Sequence, residues 1–72
     1  MMIKINNLPN RDLKKFIVCT RDTKEKSLWY YDDTNDFHIA SNQIDEARNN
    51  EFPRVIIDRE DIENGEVNSN RV

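Results

Sequence analysis

Few side chains in this sequence could do chemistry, and they fall into small groups. His38 stands close to Asp32, Asp33 and Asp36. An imidazole beside carboxylates suggests a metal site or an acid–base pair. A zinc site asks for three or four ligands, usually with more than one histidine or cysteine. One histidine falls short, and the aspartates are explained by turns, where their side chains bond nearby backbone groups. No metal and no cofactor are expected.

Cys19 could pair with His38 as an activated nucleophile, but it sits in the middle of an apolar run, Phe16-Ile17-Val18-Cys19. Such a thiol behaves as a small buried hydrophobe. Glu60 to Arg71 can be set against a calcium loop with Gly65 at its sharp turn. It fails at Ile62, where an acidic or amide ligand is needed, and at Arg71, where a glutamate is needed. One glycine in the whole chain leaves no Gly-rich phosphate loop. No set of nucleophile, base and orienting group can be assembled, so an enzyme is not expected.

The remaining chemistry is that of binding. Trp29, Tyr30 and Tyr31 are consecutive, and Asp32, Asp33 and Asp36 follow them. Aromatic anchors ringed by polar groups are the usual anatomy of a binding hot spot. A partner-binding set of Trp29, Tyr31, Asp32, Asp33, Asp36, Asp45 and Glu46 is expected. The partner would be another protein or a second copy of this chain. The alternative is a nucleic-acid surface built from Arg11, Lys14, Lys15, Arg21, Lys24 and Lys26, with the aromatics as stacking platforms. The acidic second half opposes it. Residues 1–30 carry seven Lys/Arg against three Asp/Glu, and residues 31–72 carry four against eleven, within a net charge of −3.

The elements that must position these residues are short. Met1 to Asn6 alternates isoleucine with polar residues and predicts an edge strand. Asn7-Leu8-Pro9-Asn10 breaks it, and Arg11 to Lys14 is ambiguous, with Leu13 its apolar anchor. Phe16 to Thr20 and Leu28 to Tyr31 are mostly β-branched or aromatic and predict strands, joined by the polar turn Asp22 to Lys26. Phe37 to Ala40 is read as a further strand. Its rival is a helix from Asp36 to Asn49, because Phe37, Ala40, Ile44 and Ala47 recur at helical spacing. On the preferred reading a short helix spans about Asn42 to Asn50, entered at Ser41-Asn42, with Ile44 and Ala47 buried. Arg54 to Asp58 is the last clear strand. Asn64-Gly65 allows a hairpin, or a helix from Asp58 stopped at Gly65. Disorder is expected past Val67.

The fold class is therefore α+β: a small, mostly antiparallel sheet of four or five strands with one short helix, in the order β-β-β-β-α-β. The alternative is a small curled barrel like an SH3 or OB fold. Residues 1–58 would form the single domain and 59–72 a polar, partly disordered tail. Both faces of this sheet carry apolar groups: Ile17 and Cys19 oppose Phe16 and Val18, and Leu28 and Tyr30 oppose Trp29 and Tyr31. A two-residue helical face cannot cover both. The first strand with Leu8 and Leu13, the tail through Ile62 and Val67, a second copy or a partner must cover the other.

A chain of 72 residues is at the size where stability is marginal. Its single cysteine forms no internal disulfide, no signal-like or membrane-spanning run is read in it, and a reducing cytoplasm is expected. Ten asparagines, eight isoleucines and one glycine fit an AT-rich coding genome. A regulator or inhibitor from a phage or mobile element is the expected role.

Overall fold

The computed structural model describes residues 3–48 and 52–62. Two long strands make up most of the sheet. Strand β1 (Phe16–Asp22) and strand β2 (Ser27–Thr34) make an antiparallel hairpin. The turn between them is closed by Asp22, whose Oδ1 accepts from the N–H groups of Lys24 and Glu25. Lys26 takes a left-handed φ of 57° there. Strand β3 (Arg54–Asp58) pairs antiparallel with the other side of β1, so the sheet order is β2-β1-β3. The apolar β1 is thus the central strand, as a strand buried on both faces should be.

The fourth strand expected at Phe37 to Ala40 is instead the first turn of helix α1 (Phe37–Glu46). The cause lies in Asp36. Its carboxylate accepts from the His38 N–H at 2.8 Å, and its carbonyl accepts from Ile39 and Ala40. That is an N-cap five residues earlier than the Ser41-Asn42 entry expected. The stripe Phe37, Ala40, Ile44, Ala47 then faces the sheet: Ala40 and Ala47 are fully buried and Phe37 meets Phe16 edge-on at 5.4 Å. His38 and Ile39 fall off the stripe and are exposed.

Helix α1 covers the face of the sheet that carries Phe16, Val18 and Ile56. The opposite face carries Ile17, Cys19, Leu28, Tyr30, Val55 and Ile57 and is covered by the segment 3–13 and by Ile62. Ile5, Leu13 and Ile62 are buried against it, with Ile3 and Leu8 packed alongside. The first segment is no regular strand. It makes two isolated parallel bridges, Ile3 with Ile62 and Asn6 with Trp29, before Asn7 turns it at a φ of 67°. Asparagine is among the few residues that tolerate this region. Arg11 to Lys14 forms no helical turn.

The folded unit runs past Asp58. A 3₁₀ turn at Arg59–Asp61 is capped by the Asp58 carboxylate, Arg59 donates to the Leu13 carbonyl, and Ile62 enters the core. The hairpin or helix at Asn64-Gly65 and the disorder past Val67 lie outside the described residues. The architecture is a small α+β unit with a three-stranded antiparallel sheet and one helix. Among the described residues no helix is long and apolar enough to cross a membrane.

Candidate functional site

The aromatic strand β2 is irregular at one point, and that irregularity sorts the site residues. Cys19 pairs with Tyr30, but Val18 pairs with Asp32, so Tyr31 is the extra residue of a β-bulge. Bulges re-aim side chains and recur beside functional sites. Without this one, strict alternation from Leu28 and Tyr30 would send Asp32 to the core face and Asp33 outward. The bulge reverses them. Asp33 lies opposite Ile17 on the core face, and Asp32 lies on the helix face.

Asp33, expected on the rim of the binding surface, is accordingly an interior group with a side chain 1% exposed. All its acceptor positions are engaged. Arg11 forks onto both oxygens at 2.7 and 2.9 Å, the Tyr30 hydroxyl donates at 2.6 Å and the Lys14 N–H at 2.8 Å. The Arg11 guanidinium, with the Tyr30 and Lys14 donors, holds the Asp33 carboxyl well below the usual carboxylate range against the opposing effect of burial. Burial and the bond to Asp33 push the Tyr30 hydroxyl up to about 12. This knot ties the loop before β1 to the end of β2.

Tyr31 and Trp29 remain on the helix side, each nearly half exposed, at 46% and 45%. The Arg54 guanidinium lies 3.8 Å from the centre of the Tyr31 ring, within cation–π distance. Arg54 is itself held: Nη1 donates to the Gln43 carbonyl at 2.9 Å and lies 3.5 Å from Glu46 Oε1, and its side chain is only 15% exposed. Gln43 in turn donates to Asp32 Oδ2 at 2.8 Å. Its Oε1 is buried with no partner. Trp29 stands opposite Thr20, its indole N–H bonded to Ser27.

Of the expected partner-binding residues, then, Trp29, Tyr31, Asp32 and Glu46 gather on one side around Gln43 and Arg54. Asp36 is at the far end of the helix as its N-cap. Asp45 is exposed and paired with Arg48 at 2.8 Å. Arg54 and Gln43 were missed by sequence reasoning. Arg54 reads there as the polar start of a strand, and only the register that sets it against Thr20 brings it over a ring far away in the chain.

The six cations of the alternative surface are divided. Arg11 is committed to Asp33, and Lys15 reaches Asp58 at 3.4 Å. Arg21, Lys24 and Lys26 sit at the hairpin end of the sheet, while Lys14 and Lys15 precede β1 at its other end. Arg21 and Lys26 border an apolar groove of about 610 Å³, also lined by Thr23, Ser27, Leu28, Val55 and Ile57.

Cys19 is fully buried on the core face, and burial pushes its thiol up to about 12. His38 is on the helix, across the sheet from it. Among the described residues no three His, Cys, Asp or Glu side chains are grouped to hold a metal ion. No protein-family model matches this chain, and no curated protein and no solved structure is significantly similar to it.

Proposed function

We propose that this chain is a small, non-enzymatic, cytoplasmic binding module that regulates or inhibits another protein through the Tyr31–Trp29 face. The observation that carries this reading is the state of Tyr31. It is the bulge residue, half its surface faces solvent, and its ring is pinned by an Arg54 that is itself held by the helix. A large aromatic fixed before binding loses little side-chain entropy when a partner covers it, which is what makes a good anchor. The orphaned Gln43 Oε1 is a second pointer. A buried acceptor without a donor is a local cost that stability alone does not favour. The acidic rim of Asp32 and Glu46 suits a partner with basic groups. The free, buried Cys19 suits a reducing compartment, and an origin in a phage or mobile element accords with the composition.

The test is quantitative capture from a bacterial lysate with the wild-type chain, Trp29→Ala and Tyr31→Ala, each first shown to unfold at the same urea concentration. A protein retained by the wild type and lost from both variants is the expected result. Capture unchanged by both substitutions overturns the reading. So does retention of oligonucleotides alone that falls steeply with salt.

A further inference from the structure

The cover over the core face of the sheet is incomplete. On the central strand Ile17 and Cys19 are fully buried, but Leu28 of β2 and Val55 and Ile57 of β3 are only half-buried. Ile5, Leu13 and Ile62 shield the middle of this face and leave part of it open. The groove of about 610 Å³ lies there. Volumes of this order hold small molecules. The groove is on the face opposite Tyr31 and Trp29, so it is a second site.

Only one end of the groove is charged. Ile57 lies beside Ile17 and Val55 beside Cys19, and Arg21 comes next along β1 on the same face, opposite Leu28. The apolar floor thus leads up to Arg21 and, at the turn, to Lys26. Neither cation is committed elsewhere. Among the described residues the side chains of Arg11, Arg48, Arg54 and Arg59 each bond a carboxylate or a backbone carbonyl, and that of Arg21 bonds neither. The Lys26 ammonium likewise meets no carboxylate among the described residues. No acidic residue lines the groove, although the chain has 14 Asp and Glu against 11 Lys and Arg. Asp22 alternates to the other face, where the turn N–H groups engage its Oδ1. Two unpaired cations without an acid beside them attract an anion.

The floor sets the rest of the ligand. The bond from the Arg21 N–H to the Pro53 carbonyl marks the bonded positions of the ladder, so Val55 and Ile57 turn their backbone groups to β1. The Leu28 carbonyl accepts from Asn6, and the Ser27 hydroxyl from the Trp29 indole. A peptide laid along this floor would bury amide groups without partners, which is costly. A hydrocarbon chain has none to satisfy. From the level of Ile57 to Arg21 is four strand residues, about 13 Å. That is the length of about ten carbons joined by bonds of about 1.5 Å.

We propose that this groove binds the anion of a free medium-chain fatty acid, its carboxylate between Arg21 and Lys26 and its alkyl chain over Leu28, Val55 and Ile57. The guanidinium fork matches a carboxylate in geometry, and the ammonium adds a point charge. The head sits at the exposed rim, so charge selects the ligand while burial of the chain supplies most of the affinity.

Calorimetric titration of the full chain tests this, with amide NMR shifts to locate the site. The ligands are decanoate, octanoate, decyltrimethylammonium and an acetylated Ala-Ala-Leu peptide, all below their aggregation concentrations. Decanoate is expected to bind at submillimolar concentration and to move the amide signals of Arg21, Leu28, Val55 and Ile57, leaving those of Tyr31 and Gln43 in place. Octanoate, two methylenes shorter, binds about 10-fold more weakly. Decyltrimethylammonium, with the same chain and the opposite charge, does not bind. The double variant Arg21→Gln, Lys26→Gln keeps the fold, because neither side chain holds a partner, and binds decanoate about 10-fold more weakly than the wild type. No binding at millimolar decanoate overturns the proposal, as does equal binding by the double variant, by octanoate or by the cationic amphiphile. Tighter binding of the peptide overturns it too, as do shifts confined to the Tyr31–Trp29 face. Groove signals that move on dilution of the chain alone would give the groove to a second copy instead.

Discussion

At the scale of single residues, the most consequential group is Asp33. It is ionised in the interior and its folded-state ionisation lies far below that of the unfolded chain. Below the ordinary carboxylate range the unfolded chain binds a proton that the folded chain refuses, so acid favours unfolding. The contribution of Asp33 is complete above about pH 5 and falls progressively as pH drops below about 4. Urea denaturation between pH 7 and 3 should show this loss, and Asp33→Ala should flatten it. At pH 7 the same substitution leaves the Tyr30 hydroxyl and the Lys14 N–H without their acceptor, at a cost of about 2 kcal/mol. Cys19 makes a second residue-scale prediction. Because its thiol is buried and held protonated, a disulfide reagent at pH 8 should leave it untouched in the native chain and titrate it fully in denaturant. Fast native labelling would mean that the core face opens.

At the scale of elements, helix α1 depends on its N-cap, Asp36, more than on its length. Ten residues are too few to be stable alone, and the helix survives by laying Ala40 and Ala47 on the sheet. Alanine at both positions lets the backbone approach the strands closely. The Asp36 carboxylate fixes where the first turn begins. Asp36→Ala should lower the unfolding free energy by about 1 kcal/mol, while Asp36→Ser should restore most of it. A Ser41→Ala substitution, which would matter if the helix began at Asn42, should change the urea midpoint little. The helical period was legible in Phe37, Ala40, Ile44 and Ala47. Ile39 lies off that stripe, which by sequence alone counts against a helix at that point. The structure leaves Ile39 exposed at 46%, a tolerable cost because an isolated apolar residue at a surface is normal.

At the scale of the whole molecule, the need for a cover on the second sheet face is met within the chain. The first segment and Ile62 lie across Ile17 and Cys19, with Ile5 fully buried between them. Ile5→Ala should cost about 2–5 kcal/mol. For a chain of this size, whose stability is about 4–10 kcal/mol, that brings the thermal midpoint close to ambient temperature. Circular dichroism melts will show it, and a loss under 1 kcal/mol would mean that the first segment is not part of the cooperative core.

The strands β1, β2 and β3, the turn at Asp22 to Lys26 and the double-sided apolar pattern were determined by sequence alone. They follow from neighbours along the chain: β-branched and aromatic runs, Asx turns and strict alternation. Three things were decided only by tertiary structure. The bulge at Tyr31 exchanged the faces of Asp32 and Asp33, because the strand could accommodate one extra residue opposite Val18 and gain a buried carboxylate with four donors around it. The register of β3 brought Arg54 over Tyr31. The segment 3–13 and Ile62 closed over the core face. Each is a long-range pairing whose partners are far apart in sequence, and no local preference of Tyr31, Arg54 or Ile5 distinguishes the arrangement adopted from those rejected.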